Sequence, residues 1–256
     1  MQLTVLGTAT PYPRPGNACS GYLLQGEPSA EGGRTALWID AGTGTLAELQ
    51  RHVAPDRLDA IWISHRHADH SADLLVAYYA LRFGAALPAA PIPLIAPEGM
   101  LDRLAAYLGP SSVDELPRVF DHRPMSGFGD LRVGSLDLSW GAVQHGVPAF
   151  GLTVDEGERR FAYSGDTAPC GSLEEIGEKA DLFLIEAGYD AAVPRGEAPV
   201  HHTPDDAGRT AAAAGAGRLV LTHVADTITA DDAVSRASVL FDGAVDLARP
   251  GAVFTI

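Results

Sequence analysis

The 256-residue sequence is short of cysteine, of basic side chains and of long apolar runs, and each shortage removes a class of protein. Two cysteines, Cys19 and Cys170, cannot staple a chain of this length, so two reduced thiols in a cytosolic protein are expected. Lysine and arginine total 18 against 33 acidic residues, a formal charge of −15. That balance favours solubility and leaves no large basic surface for a nucleic-acid backbone. No stretch approaches the roughly 18 apolar residues needed to cross a bilayer, so no membrane partner is expected. The opening Met1-Gln2-Leu3-Thr4-Val5-Leu6-Gly7 has neither the basic nor the apolar part of a signal peptide and is expected to be a strand. Low-complexity segments and short-period repeats are missing too. What remains is a globular, cytoplasmic chain whose 28 glycines and 18 prolines point to many turns rather than to disorder.

Short apolar runs predict strands over 3–6, 21–24 and 36–39, the last two forming a hairpin across the turn-rich stretch 26–34. Helical spacing follows at 46–53, with Leu46, Leu49 and Val53 as its apolar positions. A strand over 60–63 then leads, past a polar segment, into a helix over about 72–83. A short strand at 92–95 and a helix at 101–108 follow. Strands are predicted again at 135–143, 151–154 and 160–163. The last third alternates: strand 182–185, helix 205–214, strand 219–221, helix 231–240, strand 253–256. Both halves thus run through hairpins and then alternate strand with helix. An α/β arrangement of two mixed sheets stacked face to face, with helices outside, accounts for that plan.

The polar segment after the strand at 60–63 is Ser64-His65-Arg66-His67-Ala68-Asp69-His70. Three histidines and an aspartate within six residues are costly to bury unless something binds them. Imidazole and carboxylate together suit zinc, manganese or iron, and the lack of nearby thiolate argues against a structural zinc finger. His65 and His67 are two apart, so in an extended loop they point the same way. Asp69 and His70 come where the chain turns into a helix and can serve a second ion. Further donors are needed, and three stand at strand ends: His145 in Val143-Gln144-His145-Gly146, Asp166 in Ser164-Gly165-Asp166-Thr167, and His223 in Leu221-Thr222-His223. His52 and His122 lack such a context and are expected to be structural or exposed.

The order His-x-His-x-Asp-His, a distant His, Ser-Gly-Asp-Thr and Leu-Thr-His resembles the metallo-β-lactamase fold superfamily, and within it the ribonuclease Z-like branch and its small phosphodiesterase relatives. The likeness runs from Leu6-Gly7-Thr8 to Leu221-Thr222-His223. It implies a single metallo-β-lactamase-like domain over 1–256, a four-layer αββα sandwich with its site at one edge. It also implies two divalent ions, zinc first and manganese or iron acceptable. His65, His67 and His145 would hold one ion and Asp69, His70 and His223 the other, with Asp166 bridging. Asp40 matches an aspartate that braces the ligand loop. Ile185-Glu186-Ala187 and His201-His202-Thr203 resemble two further elements of the branch, by which His201 rather than His202 pairs with Glu186. Asp69, Glu186 and His201 are thereby assigned to the chemical step: a metal-bridged hydroxide attacks in line and His201 protonates the departing oxygen.

A ribonuclease Z carries a long tRNA-gripping arm between its third histidine and bridging aspartate. Here that interval, 146–165, is only 20 residues and nothing in it is strongly basic, which argues against tRNA as partner. Chain length, Cys19-Ser20-Gly21-Tyr22-Leu23-Leu24 and Leu240-Phe241-Asp242-Gly243 instead resemble small cyclic-nucleotide phosphodiesterases of the branch. The implied activity is hydrolysis of a small anionic substrate, a 3′,5′-cyclic nucleotide (cAMP or cGMP), to the 5′-monophosphate. The alternatives are a ribonuclease Z-like RNA endonuclease, a lactone or thioester hydrolase, and a non-catalytic nucleotide or metal sensor. The loop 8–20 is a candidate lining for the phosphate or base, and Cys170 lies four residues past Asp166 without an assigned role. A homodimer is a family-level expectation.

Overall fold

The computed structural model describes every residue except 31, 86 and 194–196. Its strands are β1 (Gln2–Ala9), β2 (Ala18–Cys19), β3 (Gly21–Gln25), β4 (Ala36–Ile39), β5 (Ala60–Trp62), β6 (Ile92–Pro97), β7 (Phe120–Met125), β8 (Gly129–Val133), β9 (Leu136–Val143), β10 (Ala149–Glu156), β11 (Arg159–Tyr163), β12 (Leu182–Glu186), β13 (Arg218–Thr222), β14 (Ala244–Leu247) and β15 (Val253–Thr255). The helices are α1 (Thr45–Leu49), α2 (Ala68–Ser71), α3 (Leu74–Phe83), α4 (Met100–Leu108), α5 (Gly171–Ile176), α6 (Pro204–Ala214) and α7 (Ala230–Ser238).

Among the described residues two mixed sheets form. One has the order β15-β1-β3-β4-β5-β6-β7, with β2 beside β1, and the other the order β14-β13-β12-β11-β10-β9-β8. In the first, β1, β3 and β4 are antiparallel and β4 to β7 parallel. In the second, β8 to β11 are antiparallel and β11 to β14 parallel. The repeated plan read from the sequence is this duplication of a meander followed by crossovers.

Burial patterns explain the layering. On β9 the apolar Leu136 and Leu138 face inward while Asp137 and Ser139 face solvent, as expected of a strand covered on one side. All five residues of β12 are buried, because that strand is sandwiched between the opposite sheet and the helices. Leu3, Val5, Leu24, Leu138, Leu152 and Leu184 meet between the sheets. α3 presses Leu74, Ala77, Tyr78 and Leu81 onto the first sheet, and α6 lays Ala207 and Ala211 on the second. Each fully buried leucine stabilises the sandwich by about 1.5–3 kcal/mol. These are the four layers of an αββα sandwich. No helix among the described residues is long and apolar enough to cross a membrane.

Three differences from the sequence reading have physical causes. The helix expected over 46–53 stops at Leu49, short of the extended Ala54 that precedes Pro55. The helix expected from about 72 begins at Leu74 as α3, behind an unforeseen single turn, α2, and between the two Asp73 turns inward to accept a hydrogen bond from Leu46 N at 2.7 Å. Besides the two-residue β2, the unforeseen strands β7, β8 and β14 all lie at sheet edges. Edge strands carry charge and proline in place of an apolar alternation, as Phe-Asp-His-Arg-Pro-Met in β7 does. The short α5 was also unforeseen.

Candidate metal centre

Parallel strands deliver their carboxyl ends to one edge of the sandwich, where open α/β sheets bind ligands. β4 leads into Asp40, β5 into Ser64 and His65, β13 into His223, and β12 ends on Glu186. From the antiparallel part, β9 runs on to His145 and β11 to Asp166. Backbone hydrogen bonds tie the loops across the sheets: Phe150 N donates to Ser64 O at 3.0 Å and Ala168 N to Gln144 O at 2.7 Å. Gly165 is in the left-handed region (φ +58°), and a Cβ there would lie 2.8 Å from Phe150 O. Only glycine lets Asp166 approach so closely.

Seven of the sequence candidates converge. His65 Nε2 lies 3.0 Å from His67 Nδ1, which lies 3.2 Å from His145 Nε2. Beside this trio, His70 Nε2 is 3.2 Å from Asp166 Oδ1, and His223 Nε2 is 3.4 Å from both Asp69 Oδ2 and Asp166 Oδ2. Asp166 Oδ2 also reaches to 3.7 Å from His65 Nε2, so this carboxylate stands between the two groups. Each group places its ligand atoms within 4.8 Å of one another.

Three of the remaining ring nitrogens, on His65, His70 and His145, are held from behind. Asp40, at φ +54°, accepts from Ser64 N (2.7 Å), Ser64 Oγ (2.8 Å), Tyr163 OH (2.8 Å) and His70 Nδ1 (2.7 Å). Since the Ser64 hydroxyl donates to Asp40, His65 Nδ1 donates to Ser64 Oγ at 3.0 Å. His145 Nδ1 donates to Val200 O at 2.8 Å. In each case the other ring nitrogen is left to face the cluster, which is how a histidine ligand is oriented.

The donors fit divalent ions. Three imidazole nitrogens facing one another at 3.0–3.2 Å cannot all be satisfied by protons, whereas a tetrahedral ion with bonds of about 2.0–2.1 Å spaces its ligands roughly 3.3 Å apart. Among the described residues, His70 Nε2 and Asp166 Oδ1 are buried without a hydrogen-bond partner. Electrostatics divide the cluster, for burial opposes charge on His70 while the carboxylates of Asp166 and Asp40 outweigh it and hold the ring well above its ordinary value. Burial, with the neighbouring histidines, pushes His65 well below its ordinary value and keeps it neutral, as a ligand must be. Burial works against the charge of Asp166, yet His223 and His70 beside it hold its carboxyl well below the usual range.

The second constellation lies alongside. His201 Nδ1 donates to Glu186 Oε1 at 2.8 Å, and its ring stacks on His223 with centroids 5.7 Å apart. Glu186 also accepts from Thr167 N and Gly188 N. His202 faces away: Nδ1 donates to Thr167 O at 2.6 Å and Nε2 accepts from Thr210 Oγ1 at 3.0 Å, so both its nitrogens are occupied. A capping box between Thr203 and Asp206 opens α6 directly afterwards and sets the path of this loop.

Loop 8–20 reaches the centre from the far side. Its Thr8, Arg14 and Asn17 join Thr222 and His223 around a cavity of about 100 Å³, and Arg14 pairs with Asp226 across it. Cys170 is held near Ser172 at the start of α5 (3.4 Å between Sγ and Oγ) and touches none of the clustered residues. His52 is exposed, and His122 Nε2 donates to Ala96 O at 3.4 Å on β6. Sequence reasoning missed Ser64 and Tyr163. The signal was there for the tyrosine: a buried phenol at the end of an apolar strand needs a partner, and here it is Asp40.

Residues 35–224 match the beta-lactamase superfamily domain, about three-quarters of the chain. The chain belongs to the beta-lactamase superfamily. Within it, an uncharacterised Mycobacterium tuberculosis protein is 33% identical over 248 residues, covering 96% of this chain and 88% of that one. The "Probable metallo-hydrolase YhfI" of Bacillus subtilis is 27% identical over 259 residues and 99% of both chains. The crystal structure of YhfI matches with a TM-score of 0.84 over 99% of each chain, at 26% identity. Ribonuclease Z of Mycolicibacterium gilvum is 26% identical over 274 residues, covering 96% of this chain and 93% of its own. This superfamily member is a metal-dependent hydrolase with ribonuclease Z relatives, and its fold implies divalent metal ions.

Proposed function

We propose that the protein is a binuclear phosphodiesterase that opens a 3′,5′-cyclic nucleotide, cyclic AMP or cyclic GMP, to the 5′-monophosphate. His65, His67 and His145 would hold one ion and Asp69, His70 and His223 the other, with Asp166 between the two groups; zinc would suit the donors best, and manganese or iron would be accepted by the same set. When bound, the ions supply Lewis acidity toward a phosphoryl oxygen and a water acidic enough to attack at neutral pH.

The observation that carries the reading is the Glu186–His201 pair beside the cluster. Burial disfavours charge on His201, but the hydrogen bond and charge of Glu186 outweigh it and push the ring up to about 8. An imidazolium with Nδ1 anchored and Nε2 turned outward is a general acid for an alkoxide, the leaving group of a sugar–phosphate ester. Asp69, beside His223 in the cluster, would accept a hydrogen bond from the attacking water. A lactone or thioester hydrolase has less use for such an acid, and the kinship with ribonuclease Z, a nuclease by name, favours phosphodiester chemistry.

The test is chromatographic. Metal-loaded protein is incubated with cyclic AMP and cyclic GMP, the monophosphates are quantified, and Asp166→Ala runs beside it. Formation of the 5′-monophosphate, lost in the variant, is expected. Failure to turn over either nucleotide with both ions bound would overturn the assignment.

A further inference from the structure

The edge that carries the cluster does not end at His67. In the first sheet β6 and β7 follow β5, so their carboxyl ends extend the same edge outward. Across from them stand the end of β9 and the start of β10, which flank the His145 loop. The space between is a groove of about 490 Å³, within the roughly 300–1,000 Å³ typical of small-ligand sites. Its walls include apolar Met125, Val143 and Phe150. Two opposite charges also line it: Arg66, half-buried between the proposed ligands His65 and His67, and Glu98, at the end of β6. Neither has an ion-pair partner among the described residues, although 18 basic side chains share the chain with 33 acids and most arginines are paired. They face one groove without meeting each other.

A ligand that satisfies both must be flat, to lie along the apolar walls. It must offer two acceptors to a guanidinium fork and two donors to a carboxylate. Guanine does so: O6 and N7 accept on one edge, while N1–H and the N2 amine donate on the next. Adenine puts its N6 amine beside N7, so the fork would meet a donor. We propose that this groove is the base subsite of the active site and that Arg66 and Glu98 select guanine over adenine. The proposal rests on the cyclic-nucleotide reading for its orientation, phosphate on the ions and base in the groove.

Two measurements separate the proposal from that reading. The ratio of kcat/KM for cyclic GMP over cyclic AMP is compared in the wild type, Arg66→Leu and Glu98→Gln. In parallel, binding of 5′-GMP and 5′-AMP to the metal-loaded proteins is followed by calorimetry. The contribution of phosphate on metal is common to both nucleotides and cancels from the comparison. The wild type is expected to favour guanine by about 10- to 100-fold, and each variant to bring the ratio toward one. Equal binding of the two monophosphates by the wild type, or a preference that survives both substitutions, would overturn the proposal. Absence of cyclic-nucleotide turnover would sink the phosphodiesterase reading alone, because the binding comparison still decides the groove. Glu98 is on an exposed turn, so its variant keeps the test open should Arg66→Leu fail to fold.

Discussion

The trio His65, His67 and His145 and the quartet Asp69, His70, Asp166 and His223 share one edge of the sandwich but not one environment. All four members of the quartet are buried, with Asp40, Ser64 and Tyr163 packed behind them. In the trio only His65 is buried, while His67 and His145 reach solvent, and His145 is steadied by a single carbonyl. The quartet is part of the core and the trio part of the surface. An ion in the first would be held by groups that also hold the fold, whereas an ion in the second would sit where solvent competes.

Asp166 joins the two environments, so its loss should have the largest effect. Asp166→Ala removes a buried charge from among histidines, a change worth about 3–5 kcal/mol, and turnover should fall roughly 10²- to 10⁴-fold. Metal analysis should show fewer than two equivalents bound; two full equivalents would mean that the groups are independent. His201→Ala removes no proposed ligand of either group, although the ring packs on His145 and His223. It should cost about 10²- to 10⁴-fold on a cyclic nucleotide but far less on a nitrophenyl ester, whose leaving group needs no proton. Because His201 acts in its protonated form, the rate should fall as pH rises through its titration. That limb lies at or below about 8, since bound cations pull the value down, and Glu186→Gln should move it lower still.

Asp40→Asn acts directly on the quartet's ion, through His70, and reaches the trio only at second hand, through Ser64 and His65. Affinity for that ion should drop about 10- to 100-fold, with the trio's ion retained. Metal titration distinguishes this from a uniform loss. The smallest effect concerns rates: a chelator should strip the trio's equivalent faster than the quartet's, and His145→Ala should speed the loss of the trio's ion further. A single-phase release in the unaltered protein would erase the distinction between core and surface sites.

The same contrast sets what was legible in the sequence. Ligands crowded into one hexapeptide, and donors at the ends of apolar strands, announce themselves because burying such groups makes sense only around an ion. The central parallel strands were legible because their residues are apolar on both faces. The edge strands β7, β8 and β14 were not, since half of each faces water and composition no longer marks them. Nor was the groove of Arg66 and Glu98, two residues 32 positions apart that only the order β5-β6-β7 brings to one cleft. Ser64 likewise became meaningful only once Asp40 was beside it.

Gly42 gives the ligand loop a tolerance of almost nothing. Its position just past β4 is pressed against the loop: a Cβ there would overlap the carbonyl oxygen of Asp69 and crowd that of Ser20. The residue carries no chemistry and contacts no ion, yet adding a methyl group would push Asp69 and His70 out of register with the second sheet. In a mutational scan Gly42 should therefore score like a residue of the metal cluster itself.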